Sequence, residues 1–144
     1  MSTATDAIFK DHVAPINLEW AYDNGTTGIR IPLANPQTRR VENRIARMDC
    51  IPYLAIAASL ACGYLGIKEE RRPSKRQKGE PDEDQNQIPR IMGAALDLFD
   101  DANKLRQLLG EDFSRVYSTI KRSEYDEFLQ VISPWEREHL LTNV

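Results

Sequence analysis

Three residues spaced two apart carry the chemistry this sequence can offer: Arg40, Glu42 and Arg44, in the stretch RRVENR. On an extended chain, side chains point alternately to opposite faces. Arg40, Glu42 and Arg44 then share one face, and Val41 and Ile45, with Asn43 between them, take the other. A face reading cation, anion, cation is a poor core face, because buried charge is costly unless paired. It is a good floor for a metal ion and a phosphate. The carboxylate is a hard oxygen ligand for a divalent cation, and the guanidiniums can fork onto phosphate or carboxylate oxygens. The bland alternative is an exposed strand with a surface ion-pair ladder, since charged strand faces are usually solvated. Periodicity alone leaves both readings open.

The elements that position these residues can be sketched from pattern. Asp23 to Arg44 alternates two extended pieces, Gly28–Ile31 and Arg39–Arg44, around a polar loop carrying Pro32, Asn35 and Pro36. Upstream, VAPINLEW places Ile16, Leu18 and Trp20 in alternation with Asn17 and Glu19, the period of a half-buried strand. Asp23-Asn24-Gly25 is a turn signal. Three strands cannot close a barrel, and unpaired edges invite association. The sheet is therefore expected to be completed by something outside this chain.

Cys50 to Ile67 holds no charged residue and is long enough to raise a membrane helix. Its alanine content, with Pro52, Ser59, Gly63 and Gly66, points instead to a helix buried on most sides. Pro52 suits the first turn, where its missing N–H costs nothing. Ala57, Ala58 and Ala61 would let a neighbour approach closely. Lys68 to Gln87 is polar and reads as an exposed loop, basic then acidic. Its RRPSKRQK run has no interleaved aromatic to stack on bases, so a solvated loop is favoured over a nucleic-acid patch.

The remainder reads as helices. Ile91, Met92, Ala95, Leu96 and Phe99 form one apolar stripe. Leu105, Leu108 and Leu109 form a short second helix, stopped by Gly110. Phe113, Val116, Tyr117 and Ile120 begin a third, continued or re-entered by Phe128, Leu129 and Ile132. Ser133-Pro134-Trp135-Glu136 is a capping-box start for a terminal helix ending near Leu141.

The fold class expected is α+β: a few antiparallel strands of an incomplete active-site sheet, then a mainly helical C-terminal half. At 144 residues, with 19 basic against 22 acidic side chains, the chain is one domain at most and nothing implies nucleic acid or an anionic membrane. Cys50 and Cys62 make no metal pattern and read as reduced core residues of a cytoplasmic protein. Residues 1–13 lack a signal peptide's apolar run and read as a short tail before a domain spanning 14–144. His12 and His139 lie far apart and are not candidate catalysts or ligands.

The strings GIRIP, RRVENR and PYLAIAASLACGYLGI, in that order, resemble the C-terminal part of the catalytic domain of the glutamine synthetase family. The Glu-Asn-Arg wording and the Ala-Ser-Leu-Ala-Cys-Gly-Tyr-Leu-Gly helix are similar to the branch that γ-glutamylates amines such as putrescine. The resemblance runs from about Ala14 to the C-terminus, through Tyr117, Lys121, Glu124, Phe128 and the Trp135-Glu136 pair. It covers only the last part of a full-length member.

The resemblance implies an ATP-dependent amide synthesis in which glutamate's γ-carboxylate attacks the terminal phosphate and ammonia or an amine captures the acyl phosphate. Glu42 matches a metal-ligand glutamate for Mg2+ or Mn2+. Arg40 and Arg30 match arginines on the nucleotide side. Arg44 matches an arginine contacting the reacting phosphoryl or the glutamate carboxylate, so Arg44 and Arg30 are the catalytic candidates. An oligomeric ring with other synthetase subunits is implied, because family sites form between neighbouring subunits. Two departures stand out. Asn24-Gly25 replaces the family's Asn-Arg, and losing one such charge-stabilising donor typically costs on the order of 3 kcal/mol, roughly a hundredfold in rate. Ile51-Pro52-Tyr53 replaces Asn-Pro-Tyr and removes a polar group near the helix start. One carboxylate cannot hold two or three divalent ions, so the chain alone is expected not to be a competent synthetase. A non-catalytic module inserting into a synthetase ring and a nucleotide-binding remnant remain as alternatives.

Overall fold

The computed structural model describes residues 15, 17–78 and 86–140. The expected tail 1–13, the beginning of the first expected strand and residues 79–85 of the polar loop lie outside them. The chain divides into two compact units, Met1–Ile88 and Pro89–Val144. The architecture is α+β.

The first unit carries a three-stranded sheet in the order β1 (Trp20–Tyr22), β2 (Ile29–Ile31), β3 (Glu42–Asn43), followed by helix α1 (Pro52–Lys68). β2 and β3 pair antiparallel, with Arg30 opposite Glu42. β1 and β2 pair parallel, with Ala21 opposite Arg30, where antiparallel pairing was expected. Parallel neighbours normally need a long crossover. Here residues 23–28 make the connection with a turn at Gly25-Thr26 flanked by bends. Asp23 adopts φ 46°. The Asn24 side-chain oxygen then accepts hydrogen bonds from the Thr26 amide (2.9 Å) and hydroxyl (2.7 Å). Thr27 is fully buried, its hydroxyl donating to the Asn24 and Ile29 carbonyls. A local polar network thus replaces a crossover helix.

β1 begins only at Trp20, the last residue of the expected alternation, and the burial is inverted: Asn17 is fully buried while Leu18 is exposed. Asn17 accepts the Glu19 amide on its side chain and bridges Gln87 through the backbone. A polar side chain can be buried when it is hydrogen-bonded in this way. The polar loop is accordingly tied down at both described ends. Leu18 N–H donates to Asn86 O (2.8 Å) and Gln77 N–H to Trp20 O (3.0 Å). The Trp20 indole donates to Ser74 O (2.8 Å).

α1 starts at Pro52, as its pyrrolidine favours, and the residue before it, Ile51, provides no side-chain cap. The expectation that this helix is buried on most sides is not met. Among the described residues only Ala61 of α1 is buried, and Tyr53, Ile56, Leu60, Tyr64 and Ile67 are exposed. The reason is that the small sheet meets α1 along one side alone, where Asn43 Nδ2 donates to Ser59 Oγ at 2.9 Å.

The second unit comprises α2 (Met92–Asp101), α3 (Asn103–Leu109), α4 (Glu111–Leu129) and α5 (Pro134–Leu140). Gly110, at φ 100°, separates α3 from α4 in a conformation glycine adopts without a Cβ clash. α4 is a single helix, with Glu111 and Asp112 favourably placed in its first turn. Leu96, the Phe99–Tyr117 edge contact and the Phe113–Tyr117 stack form the apolar centre. The tighter ties are polar. Ser114 and Ser118 of α4 are buried, and Ser118 Oγ donates to Asp100 (3.0 Å), which also accepts from Arg122 (2.7 Å). α5 opens with a reciprocal capping box: Ser133 N–H to Glu136 Oε2 (2.7 Å) and Glu136 N–H to Ser133 Oγ (3.1 Å).

Candidate functional site

The site residues sit on the sheet of the first unit. β-alternation sends Asn43 toward α1, where it meets Ser59, and sends Glu42 to the other face. Cross-strand register then brings Arg30 beside Glu42. The result is a chain of charges. Arg30 Nη1 donates to Glu42 Oε2 at 3.0 Å, and Arg40 Nε to Glu42 Oε1 at 3.0 Å. The second Arg30 nitrogen, Nη2, donates to Asp23 at the end of β1. Both oxygens of Glu42 are thereby engaged by cations, and Arg30 divides its fork between two carboxylates.

Burial pushes the Glu42 carboxyl up, but hydrogen bonds from Arg30 and Arg40 outweigh it and hold the group below its ordinary value. The hydrogen bond to Asp23, then that to Glu42, raises Arg30 against the opposing effect of burial. Arg30 and Glu42 are each about a quarter exposed, so a ligand arriving on this face could reach them.

Arg44 is placed by different contacts. Its amide donates to Gly28 O at 2.8 Å. Its guanidinium lies beside Gly25, where a Cβ would meet Nη1 and Nη2 at 3.8 Å. Gly25, read above as standing where the resembling family carries an arginine, therefore adjoins Arg44. Gly28, just before β2, is closely packed: a Cβ there would lie 2.5 Å from Asn17 O.

The structure thus brings Arg30, Arg40 and Glu42 into direct contact and sets Arg44 next to Gly25. Asp23 was read from the sequence only as a turn residue. Its signal, an acid seven residues before Arg30, is too common to single out without the register. For this arrangement to grip an anion or to give a Glu42 oxygen to a metal ion, the arginine–carboxylate contacts must first exchange partners. Among the described residues no group of three or more His, Cys, Asp or Glu side chains could hold a metal ion. A magnesium or manganese ion at Glu42 would therefore need further ligands from elsewhere. His139 stacks on Trp135 within α5.

Among the described residues no helix is long and apolar enough to cross a membrane. The family model for the glutamine synthetase catalytic domain matches residues 7–140. A glutamine synthetase of Methanocaldococcus jannaschii is 34% identical over 132 residues, covering 85% of this chain and 29% of that protein. A γ-glutamylputrescine synthetase of Escherichia coli K12 is 33% identical over 130 residues, covering 90% and 28%. A glutamate–isopropylamine ligase of a Pseudomonas species is 30% identical over 124 residues, covering 83% and 27%. The chain spans less than a third of the length of these relatives. With the match extending over most of its residues, the chain belongs to the glutamine synthetase family.

Proposed function

We propose that this chain contributes part of a catalytic domain to an ATP-dependent ligase that joins glutamate to ammonia or an amine such as putrescine, in the cytoplasm. The observation that carries this reading is the Arg30–Glu42–Arg40 constellation on one sheet face. Oxide is a poor leaving group, so the γ-carboxylate must be activated as an acyl phosphate before nitrogen can attack. Moving a phosphoryl group requires cations around the migrating charge. Arg30 and Arg40 would grip the nucleotide phosphates, and Arg44 would meet the transferring phosphoryl or the glutamate carboxylate. Glu42 would supply one ligand to a magnesium ion, whose role when bound is to neutralise phosphate charge.

That no group of three or more metal-binding side chains forms among the described residues, and the exposed apolar flank of α1, support a second part of the proposal. The remaining ligands come from parts of a synthetase outside these residues, in an oligomeric assembly. The domain unit concerned runs over 14–144, with 68–87 as its polar loop. The test is ATP-dependent phosphate release with glutamate, magnesium and either ammonia or putrescine. The expected result is no turnover by this chain alone and turnover once a polypeptide carrying the remaining ligands is added, lost again in Glu42→Ala. Turnover by the isolated chain above its Glu42→Ala control would refute the claim of an incomplete site. No turnover in the presence of that polypeptide would sink the ligase reading.

A further inference from the structure

Arg30 could have closed its whole fork on Glu42, the geometry that guanidinium and carboxylate favour. It does not. Nη2 is held by Asp23, and only Nη1 reaches Glu42, at 3.0 Å. Asp23 is itself fixed in place. Its amide donates to Ile31 O at 3.0 Å, and its backbone sits at φ 46°. That is the left-handed region, which few residues besides glycine enter and which Asp tolerates through its short polar side chain. An uncommon backbone conformation at the end of β1 thus aims a carboxylate at an arginine of the adjacent strand.

We propose that Asp23 is the positioning residue for Arg30: by taking one arm of the guanidinium it keeps Arg30 from chelating Glu42 and presents the other arm to a polyphosphate. When phosphate oxygens arrive, Arg30 then gives up a single hydrogen bond and pivots on Asp23. Glu42 retains Arg40 as its partner through Oε1. Without Asp23 the fork turns fully onto Glu42, and phosphate has to compete with a bidentate ion pair. This inference rests on the nucleotide reading above.

The test uses the full chain with Asp23→Asn, Asp23→Glu and Arg30→Gln. The Arg30 Nε–H is buried and has no hydrogen-bond partner, so it is shielded from solvent exchange and suited to nitrogen-15 detection. Its signal is assigned by its loss in Arg30→Gln. In the free protein, Asp23→Asn is expected to move that signal and Asp23→Glu to return it toward the parental position. Calorimetric titration with ATP in magnesium buffer is expected to show affinity weakened about tenfold in Asp23→Asn, the order expected when one charge-assisted contact no longer orients a phosphate ligand. The melting temperature should change by no more than about 2 °C, because an ion pair this exposed adds little stability.

An unmoved signal in Asp23→Asn overturns the proposal. So does ATP affinity within about twofold of parental while Arg30→Gln loses binding. If the parental chain and Arg30→Gln both fail to bind ATP, the nucleotide reading itself is wrong, and the inference falls with it.

Discussion

Gly28→Ala is the sharpest test of how the site is held together. The added methyl would lie 2.5 Å from Asn17 O and 3.2 Å from Ile45 Cγ1, so one contact falls nearly an ångström short of ordinary van der Waals separation. Asn17 is fully buried and its carbonyl belongs to backbone, so no side chain can swing away to make room. Either β2 moves off β1 or the Asn17 segment shifts. Overpacking of this kind costs about 1–3 kcal/mol. The shift also stretches two backbone hydrogen bonds flanking Gly28, Arg44 N–H to Gly28 O (2.8 Å) and Ile29 N–H to Glu19 O (3.0 Å). Each contributes about 1 kcal/mol net. A total near 3 kcal/mol corresponds to a fall of roughly 10–20 °C in melting temperature for a unit of this size.

The control is the same substitution at Gly63, inside α1, where a Cβ would meet nothing within 4 Å. There alanine should stabilise by about 0.5–1 kcal/mol through helix propensity alone. Thermal and guanidinium denaturation followed by circular dichroism would read both. The reasoning is refuted if Gly28→Ala melts within about 2 °C of the parental chain, or if the two substitutions change stability in the same direction.

Three further outcomes follow from other parts of the molecule. Hydrogen bonds from Arg122, then Ser118, hold Asp100 below its ordinary value near 3.8. Its contribution to stability is therefore full above about pH 4 and is lost as pH falls through the lowered folded value, so denaturation midpoints from about pH 5 to about pH 2 should fall more steeply in the parental chain than in Asp100→Asn. Equal slopes would remove Asp100 from the acid response. Ser133→Ala breaks half of the α5 capping box and should cost about 1 kcal/mol, read as roughly fivefold faster amide exchange within α5, whereas unchanged exchange would show that the cap contributes nothing. Gly25→Arg has room for its Cβ, which would touch the Arg44 guanidinium at an ordinary 3.8 Å; on the proposed function it should strengthen ATP binding severalfold, and weakened binding would count against a phosphate at Arg44.

Much of the chain was legible from local pattern, because local energetics set it. Pro52 started α1, Gly110 parted α3 from α4, and the Ser133–Glu136 box opened α5. Each depends on contacts within a few residues. The alternation of RRVENR also separated Glu42 from Asn43, since period two is a property of any extended chain. What the pattern could not supply was pairing. The parallel β1–β2 register depends on the buried Asn24–Thr27 network, so turn letters alone suggested a simple reversal. Ser114 and Ser118 are polar positions beside an apolar stripe, yet they are buried, with Arg106 O and Asp100 accepting their hydroxyls.

The same division runs through the site. Residue types and spacing suggested a cation–anion–cation face in the stretch from Arg40 to Arg44; in the structure Arg40 and Glu42 pair there, and Arg44 is held by separate contacts beside Gly28 and Gly25. Only the tertiary structure decided that Arg30 joins it from twelve residues away, that both Glu42 oxygens are taken, and that Asp23 holds the far arm of Arg30. Spacing governs which face a side chain takes. Which other strand's side chains it meets there depends on register, and register is set by long-range hydrogen bonds that no local window contains.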